Sequence, residues 1–469
     1  MLTYSLDERG GLPLYEYLYR CIRADILSGA IAAEERLPSK RALAEHLGVS
    51  VITVESAYAQ LEAEGYVYAL AKRGFFAARV ERSPRASAAL PPQTQAPTPP
   101  DVQLDLRRSQ VDASRFPVSV WARLTRQILS GGGAALLNAA PHNGLPALRQ
   151  SIADDLRERK GMAVSPDQIV VGAGAEYLYI LLAQLLGGDA LGGRTPVLAV
   201  EDPGYPKIRL VYEKCGVRCR PVPLDAQGIR PDALRASGAN AVHLSPSHHY
   251  PTGLVTPIAR RQALLRWAEE CGGIIIEDDY DSEFRFTGRP LPTLQSIDTD
   301  GRVIYMNTFS QTIAPSMRVG FMILPPRLLE HYRRELDFYA CTVPALDQHV
   351  LARFIAGGYY DQHLSRMRKE YRARRASVLE AFRSSPFADR ITISEQGAGL
   401  HFLLRLNTAY SDDALRTRAE ALGVRLGFLS EYAAAPSPGY AHTLVVNYAG
   451  LDAGRLPAAM ALLAQVFDA

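Results

Sequence analysis

Several polar side chains of this sequence have the types and order needed to bind a phosphorylated ligand. A glycine-rich turn, Gly172-Ala173-Gly174-Ala175-Glu176, precedes a helical pattern, so its backbone N–H groups would lie at a helix start. Thr308 and Ser310 offer hydroxyls, and Arg318 offers a guanidinium that can hold a phosphate through paired hydrogen bonds. The turn alone is weak evidence. The three elements in this order predict a phosphate site made of Gly174, Ala175, Thr308, Ser310 and Arg318.

An acidic run over residues 277–284 follows an apolar, strand-like segment. Such carboxylates could hold a metal ion, but no histidine accompanies them locally, and we predict no metal site. A single aspartate there could instead pair with a ring nitrogen of a cofactor and keep it protonated. Asp278 fits that role, and Tyr280 fits a hydrogen bond to a ring hydroxyl. Asp279 stays open as the competitor of Asp278, because the sequence does not orient adjacent acids.

Two further segments offer side chains to the same ligand. Glu201-Asp202-Pro203-Gly204-Tyr205 ends in an aromatic ring, Tyr205, that could stack on a planar cofactor. Residues 245–253 contain His248 and His249 ahead of a Pro-Thr-Gly turn. His249, or else His248, could contact a ring oxygen, although either histidine could equally be structural.

The elements around these residues alternate between strand-like and helical patterns from about residue 116 onward. Strands are predicted at residues 168–171, 196–200, 241–244, 273–277, 302–305 and 319–323. Helical patterns lie between most of them, which argues for a mainly parallel α/β sheet. A long helical stretch over 358–383 leads to a smaller α+β tail. The candidate residues follow strand ends, where ligands bind such sheets.

The N-terminal segment has a different pattern. Apolar residues at helical spacing predict a helix over 14–27, Ser39 and Ser50 are plausible N-caps of two more helices, and β-prone pieces follow at 66–70 and 74–78. Three helices and a basic hairpin are typical of a winged helix-turn-helix. The alternative for this pattern is a small helical domain that binds protein or stabilises its neighbour.

Composition and a proline-rich segment indicate the domain organisation. The chain has 469 residues, 47% hydrophobic and 22% charged, with a net charge of +3, so DNA binding would need a local basic patch. Residues 81–104 are rich in Pro, Ala, Ser, Thr and Gln, a linker composition. We therefore predict a DNA-binding domain over 1–80, a linker over 81–104 and a second domain over 105–469. Five scattered cysteines and no apparent signal peptide predict a cytoplasmic protein.

The N-terminal residues resemble the GntR family of bacterial repressors, above all over 36–50. In that family the second helix, the start of the third and the wing contact DNA. The resemblance implies DNA contacts by Arg36, Ser39, Lys40, Arg41, Ser50, Thr53, Lys72, Arg73 and Gly74. Many relatives have arginine where this chain has Val51, and some have another near Glu55. Since valine can touch a thymine methyl but cannot donate to guanine, we expect an operator other than the usual family half-site.

The segment Asn307–Arg318 resembles the cofactor loop of fold-type I pyridoxal-phosphate (PLP) enzymes. In that loop a lysine follows the serine and forms the Schiff base, whereas this chain has Gln311. Residues 277–284, 288–292 and 308–318, behind a GntR-like head and a linker, resemble the MocR/GabR family of transcription regulators. The resemblance implies a winged helix joined to a fold-type I aminotransferase-like domain, PLP as a possibly non-covalent ligand, and a head-to-tail homodimer on operator DNA. It also implies that PLP, or a small amine, acts as effector.

The leading hypothesis is a transcription regulator that senses PLP or a PLP-reactive amine. The alternative is an active aminotransferase with an accessory DNA-binding head. Gln311 argues against that alternative, because a primary amide has no nucleophilic lone pair and cannot shuttle the proton in transamination. A third hypothesis, a scaffold that has lost cofactor binding, conflicts with the intact Asp278, Tyr280 and Arg318. We therefore predict no catalytic residue and no turnover.

Overall fold

The computed structural model divides into two compact units, Met1–Thr98 and Pro99–Ala469. It describes residues 2–80, 102–107, 111–132, 136, 138–287, 291–394 and 397–467. Residues 81–101 of the predicted linker and the 288–290 part of the family motif lie outside the described residues.

The first unit is the winged helix-turn-helix that the sequence predicts. Its helices are α1 (Leu14–Ser28), α2 (Lys40–Leu47) and α3 (Val51–Ala63), and its antiparallel hairpin is β1 (Val67–Leu70) with β2 (Gly74–Ala77). These elements enclose one apolar cluster, in which Leu18, Leu43, Tyr58 and Leu61 are fully buried or nearly so.

Two serines begin the helices at the expected positions. The Ser39 hydroxyl accepts a hydrogen bond from the Ala42 N–H at 3.2 Å, and the Ser50 hydroxyl accepts one from the Thr53 N–H at 3.1 Å. Each bond satisfies a donor that has no partner inside its helix. Between α2 and α3, Gly48 has φ of 66°, a conformation that glycine adopts without steric cost.

The second unit contains the remaining strands. They are β3 (Leu104–Asp105), β4 (Ile169–Gly172), β5 (Val197–Asp202), β6 (Arg218–Asp225), β7 (Gly228–Ile229), β8 (Ala241–Leu244), β9 (Ile274–Asp278), β10 (Val303–Thr308), β11 (Gly320–Ile323), β12 (Ile391–Ser394), β13 (His401–Leu406), β14 (Val424–Arg425) and β15 (Thr443–Asn447).

The helices of this unit alternate with those strands. They are α4 (Val118–Gly132), α5 (Pro146–Lys160), α6 (Ala175–Gly187), α7 (Pro206–Lys214), α8 (Pro231–Ala236), α9 (Ile258–Cys271), α10 (Leu294–Ile297), α11 (Pro326–Leu336), α12 (Ala345–Ala356), α13 (Tyr359–Arg383), α14 (Asp412–Ala421) and α15 (Leu456–Phe467).

The large sheet has the order β4-β11-β10-β9-β8-β5-β6-β7. Strands β10, β9, β8, β5 and β6 run parallel to one another, whereas β11 pairs antiparallel with β10 and β4, and β7 pairs antiparallel with β6. The expectation of a mainly parallel sheet is confirmed. Strands β4, β8, β9, β10 and β11 are buried along their whole length, as strands covered on both faces are.

A smaller subdomain completes the unit. Strands β12, β13 and β15 form an antiparallel sheet, and β14 pairs in parallel with β3. Leu104, counted with the linker from composition, therefore belongs to a strand of the second unit and pairs with Val424. Strand β6 was not predicted. It contains Pro221 and Pro223 and is mostly exposed, so neither composition nor apolar pattern indicates a strand there.

Candidate functional site

A cavity of about 780 Å³ lies beside the strand ends of the second unit. Asp278 and Thr308 end β9 and β10, Ser245 follows β8, and Glu201 and Asp202 end β5; all five line the cavity. Of the predicted ligand-binding residues, the lining includes Ala175, Tyr205, Asp278, Tyr280, Thr308, Ser310, Gln311 and Arg318.

One end of the cavity has the features of a phosphate site. Ala175 begins α6, and Gly174 precedes it with φ of 83°. Gly174 does not line the cavity, but a Cβ atom on it would lie 2.8 Å from Nη2 of Arg318. A glycine is therefore needed for the guanidinium to approach the turn. Thr308 and Ser310 line the same cavity.

The two basic side chains beside this turn, Arg318 and Lys207, already bind a carboxylate of the protein. Glu176 accepts a hydrogen bond from Arg318 and, at 2.8 Å, one from Lys207. Burial would raise the pKa of Glu176, but the bonds from Lys207 and Arg318 outweigh it and lower the pKa to about 2. Glu176 is therefore ionised near neutral pH, and an incoming phosphate has to compete with it.

Asp278 also lines the cavity and has one oxygen without a hydrogen-bond partner among the described residues. Its Oδ2 accepts a hydrogen bond from the Tyr179 hydroxyl at 2.7 Å and lies 3.4 Å from His243 Nε2. Its Oδ1 is buried and has no hydrogen-bond partner among the described residues. A buried carboxylate oxygen without a partner is costly, so this atom is suited to accept from a protonated nitrogen of a ligand.

Asp279, the residue after β9, does not line the cavity. Its Oδ2 accepts from Lys160, from the Tyr305 hydroxyl at 2.7 Å and from the Ser282 hydroxyl at 2.9 Å. Burial would raise the pKa of Asp279, but the Lys160 ammonium and these bonds lower it. Asp279 Oδ1 is also buried without a hydrogen-bond partner among the described residues, but Asp279 does not line the cavity. Asp278 is therefore the carboxylate available to a ligand there.

Aromatic rings form part of the wall. Tyr205 is 40% exposed and packs edge-on against Tyr250, with ring centroids 5.8 Å apart. Tyr280 has its hydroxyl 3.2 Å from His248 Nδ1, and burial raises its pKa well above the usual value. Tyr280 is consequently a neutral hydrogen-bond donor near neutral pH.

His249 does not reach the cavity. Its Nδ1 lies 2.7 Å from the Thr252 hydroxyl and its Nε2 lies 3.4 Å from the Glu201 carboxyl. Burial lowers the pKa of His249 to about 3 and raises that of Glu201 to about 8. Near pH 7 the pair is therefore a neutral imidazole beside a protonated carboxyl. The expectation that His249 touches a ring oxygen does not agree with this position.

The sequence did not predict several residues that line the cavity and come from distant segments of the chain. Two basic side chains, Lys207 and Arg425, line the cavity. The residues without a signal in the sequence are Arg107, Arg209, His243, His401, Glu431, Tyr432 and Asn447. They come from segments that meet only in the folded chain, and no local motif marks them.

In the first unit, the predicted DNA-binding side chains lie on the helices and the wing. Arg36, Arg41, Lys72 and Arg73 are exposed. Lys40 forms an ion pair with Glu55 at 2.7 Å, so the negative charge of Glu55 is balanced by the Lys40 ammonium. At the start of α3, Val51 is 42% and Ile52 is 73% exposed. Ser50 and Thr53 share a 2.8 Å hydrogen bond between their hydroxyls.

Comparisons with known proteins agree with both units. Residues 14–77 match the family of bacterial regulatory proteins of the gntR type. The second unit resembles solved aminotransferases. A multiple-substrate aminotransferase from Thermococcus profundus has a TM-score of 0.69 at 23% identity, covering 79% of this chain and 92% of that one. At this identity the likeness shows the fold. The fold and the DNA-binding head define a class, the transcription regulators with an aminotransferase-like domain.

Relatives along the whole chain are regulators. The uncharacterised HTH-type transcriptional regulator YhdI of Bacillus subtilis is 37% identical, covering 96% of this chain and 95% of its own. The probable rhizopine catabolism regulatory protein MocR of Rhizobium meliloti is 32% identical (95% and 92%). The pyridoxine biosynthesis regulator PdxR of Corynebacterium glutamicum is 34% identical (88% and 87%). This chain belongs to the MocR family of transcription regulators. Within the described part of the chain, no helix is long and apolar enough to cross a membrane.

Proposed function

We propose that the second unit is a sensor that binds PLP without a covalent anchor and transmits its occupancy to the DNA-binding head. One observation carries this proposal: Asp278, whose buried Oδ1 has no hydrogen-bond partner among the described residues, lines the same cavity as Arg318, which packs against the turn at Gly174. These groups match the ring nitrogen and the phosphate of PLP in chemistry.

The residues that would hold PLP have complementary roles. Asp278 accepts from the ring nitrogen, and Tyr280 donates to the ring hydroxyl. Tyr205 stacks on the ring. Thr308, Ser310, Arg318 and the N–H groups after Gly174 bind the phosphate in exchange for Glu176. PLP supplies, when bound, an aldehyde that reacts with amines and an electron-poor ring.

Gln311 makes turnover unfavourable. It lines the cavity at the position of the usual lysine, and its amide is neither a nucleophile nor a base near neutral pH. The protein therefore acts as a regulator, and the ligand is PLP itself or an amine that reacts with it. The fold alone would also suit an aminotransferase, and sustained conversion of an amine and an oxo acid would support that alternative.

The head supplies the DNA contacts. Exposed Arg36, Arg41, Lys72 and Arg73 are suited to phosphates, and the helix start at Ser50 and Thr53 is suited to the major groove. Such heads bind paired half-sites as dimers, so we expect a homodimer, head-to-tail as the family implies, acting on operator DNA in the cytoplasm.

The test is a titration of the full chain with PLP, followed by visible absorption, beside Gln311→Lys and Asp278→Ala variants. We expect saturable binding in the natural chain, with no PLP fixed covalently to the chain after borohydride reduction, and a link in Gln311→Lys that borohydride reduces to a stable secondary amine. Asp278→Ala should bind more weakly by about tenfold or more, since an acceptor for the ring nitrogen is lost. If neither the natural chain nor Gln311→Lys takes up PLP, the sensor proposal is wrong.

A further inference from the structure

Three buried side chains from separate segments meet at the edge of the cavity. His248 follows β8, Asp281 follows β9 and His401 begins β13; they are 3%, 2% and 5% exposed. One possible ligand atom from each lies within 4.8 Å of the other two. It is unusual to bury two imidazoles and a carboxylate side by side, because each polar group loses its hydration and must find a partner in the protein.

The hydrogen bonds within this group leave one nitrogen unsatisfied. His248 Nδ1 lies 2.9 Å from Asp281 Oδ2, and His401 Nε2 lies 3.0 Å from the Pro251 carbonyl. His248 Nε2 is buried and has no hydrogen-bond partner in the described part of the chain. The rings of His248 and His401 are 4.8 Å apart. A buried ring nitrogen in this state points to a ligand that supplies the missing partner.

The donor set matches a transition-metal ion. Two imidazole nitrogens and one carboxylate oxygen are the protein ligands of many zinc sites that keep a position open. Two ligands of a tetrahedral zinc ion lie roughly 3.4 Å apart. The largest separation here, at most 4.8 Å, exceeds that by about 1.4 Å. Small side-chain rotations close a gap of that size.

The group is also accessible from the cavity. Asp281 and His401 line it, whereas Asp278 and Arg318, which carry the PLP proposal, do not belong to the group. We infer that His248, Asp281 and His401 bind a divalent transition-metal ion, Zn²⁺, whose open coordination position faces the cavity. A carboxylate or amine of a small effector takes that position, in a protein whose segment 444–448 contains no carboxylate-binding arginine.

The first test uses Co²⁺ as a spectroscopic substitute for Zn²⁺. The full chain, freed of metal by a chelator and free of PLP, is titrated with Co²⁺ and followed by visible d–d absorption. We expect one strongly bound ion per chain, with tetrahedral or five-coordinate bands that Zn²⁺ abolishes. His401→Gln and His248→Gln should each lower the affinity by about tenfold or more. His331→Gln, which removes a similarly buried histidine beside Glu335, should leave it unchanged.

Absence of d–d bands in the natural chain, or equal binding in all variants, would overturn the proposal and leave His248 and Asp281 as a structural pair with a buried water. Because a variant can fail to fold, X-ray absorption on the Zn²⁺-loaded natural chain gives a second criterion: two imidazole nitrogens and a carboxylate oxygen are expected. A shell of oxygen or sulfur alone contradicts the assignment. PLP uptake by the metal-free chain is measured separately, so failure of the metal site and failure of the PLP proposal are distinguishable.

Discussion

Neighbouring residues of this protein differ sharply in environment. Asp278 lines the cavity and has one carboxylate oxygen without a partner among the described residues, whereas the adjacent Asp279 lies outside the cavity lining and binds Lys160, Tyr305 and Ser282 through its Oδ2. The first is available to a ligand, and the second contributes to the structure just beyond the end of β9.

Removing the carboxylate of Glu176 should strengthen PLP binding. In a Glu176→Gln variant, Arg318 and Lys207 no longer hold a charged partner, and the phosphate has less to displace. Because the Glu176 side chain is 32% exposed and those of Arg318 and Lys207 are each 49% exposed, solvent weakens these ion pairs. We therefore expect PLP affinity to rise by only about two- to fivefold. The dissociation constant from absorption titration measures the effect.

The matched control for that prediction is Glu270→Gln, which removes one partner of a surface ion pair with Arg235 outside the cavity lining. Its PLP affinity should not change. Weaker binding by Glu176→Gln would mean instead that Glu176 orients Arg318 for the phosphate.

Burial of Glu201 predicts a pH dependence of stability. Burial raises its pKa to about 8, above the value of about 4.3 expected in the unfolded chain. Between these values the folded protein keeps a proton that the unfolded chain releases. The free energy of unfolding should therefore fall as pH rises, by up to about 1.4 kcal/mol per pH unit for this group.

Urea unfolding at about pH 5.5 and about pH 7.5, within the titration window, checks this prediction on the natural chain and Glu201→Gln. The variant cannot ionise at this position and should lose less stability between the two values. Glu158→Gln, on the exposed surface of α5, should behave as the natural chain does. An equal loss in all three proteins would contradict the assignment.

At the scale of elements, the head presents a basic wing beside an apolar helix start. Lys72 and Arg73 lie in the turn of the β1–β2 hairpin, and the Arg73 guanidinium lies 5.8 Å from the ring centre of Phe76. Val51 and Ile52 are exposed at the start of α3. This combination favours phosphate contacts by the wing and contacts with thymine methyl groups by the helix.

Replacing Arg73 by Ala should weaken binding to operator and unrelated DNA alike. A phosphate contact releases about one counterion, so the slope of log affinity against log salt should decrease in magnitude by about one. Fluorescence anisotropy at several salt concentrations measures both quantities. Arg20→Ala removes the same charge from α1, where Arg20 pairs with Glu16, and should leave the slope unchanged. An unaltered slope for Arg73→Ala would exclude the wing from the interface.

At the scale of the whole molecule, a sensor must couple two units with separate cores. Coupling between binding sites is reciprocal: if PLP changes operator affinity by some factor, operator DNA changes PLP affinity by the same factor. A factor of about 5 to 150 is typical of such systems. Anisotropy with and without PLP, and PLP titration with and without operator, measure the two factors.

Two variants isolate the coupling. Asp278→Ala should lose the effect of PLP on DNA while keeping the intrinsic affinity for operator. Arg73→Ala should keep its PLP affinity. A higher DNA concentration should then be needed before DNA changes that affinity. A factor of one in the natural chain would mean that PLP is a structural ligand and that another effector controls DNA binding.

Local features were readable from the sequence because they depend on neighbouring residues. Helix caps at Ser39 and Ser50, the alternation of strands and helices, and the order of the turn at Gly174, Asp278 and Arg318 follow from short-range hydrogen bonding and apolar spacing. The same reasoning predicted the winged helix and the mainly parallel sheet. Gln311 in place of lysine is likewise a fact of the sequence alone.

Only the tertiary structure decided which side chains face the cavity. It separated Asp278 from Asp279, placed His249 against Thr252 and Glu201, and assigned β6 despite its prolines. It also brought His401 from a strand of the small subdomain to within reach of His248 and Asp281. Such arrangements depend on how side chains pack in the folded chain, in part between segments distant in the sequence such as those of His248 and His401, for which a single sequence has no local pattern.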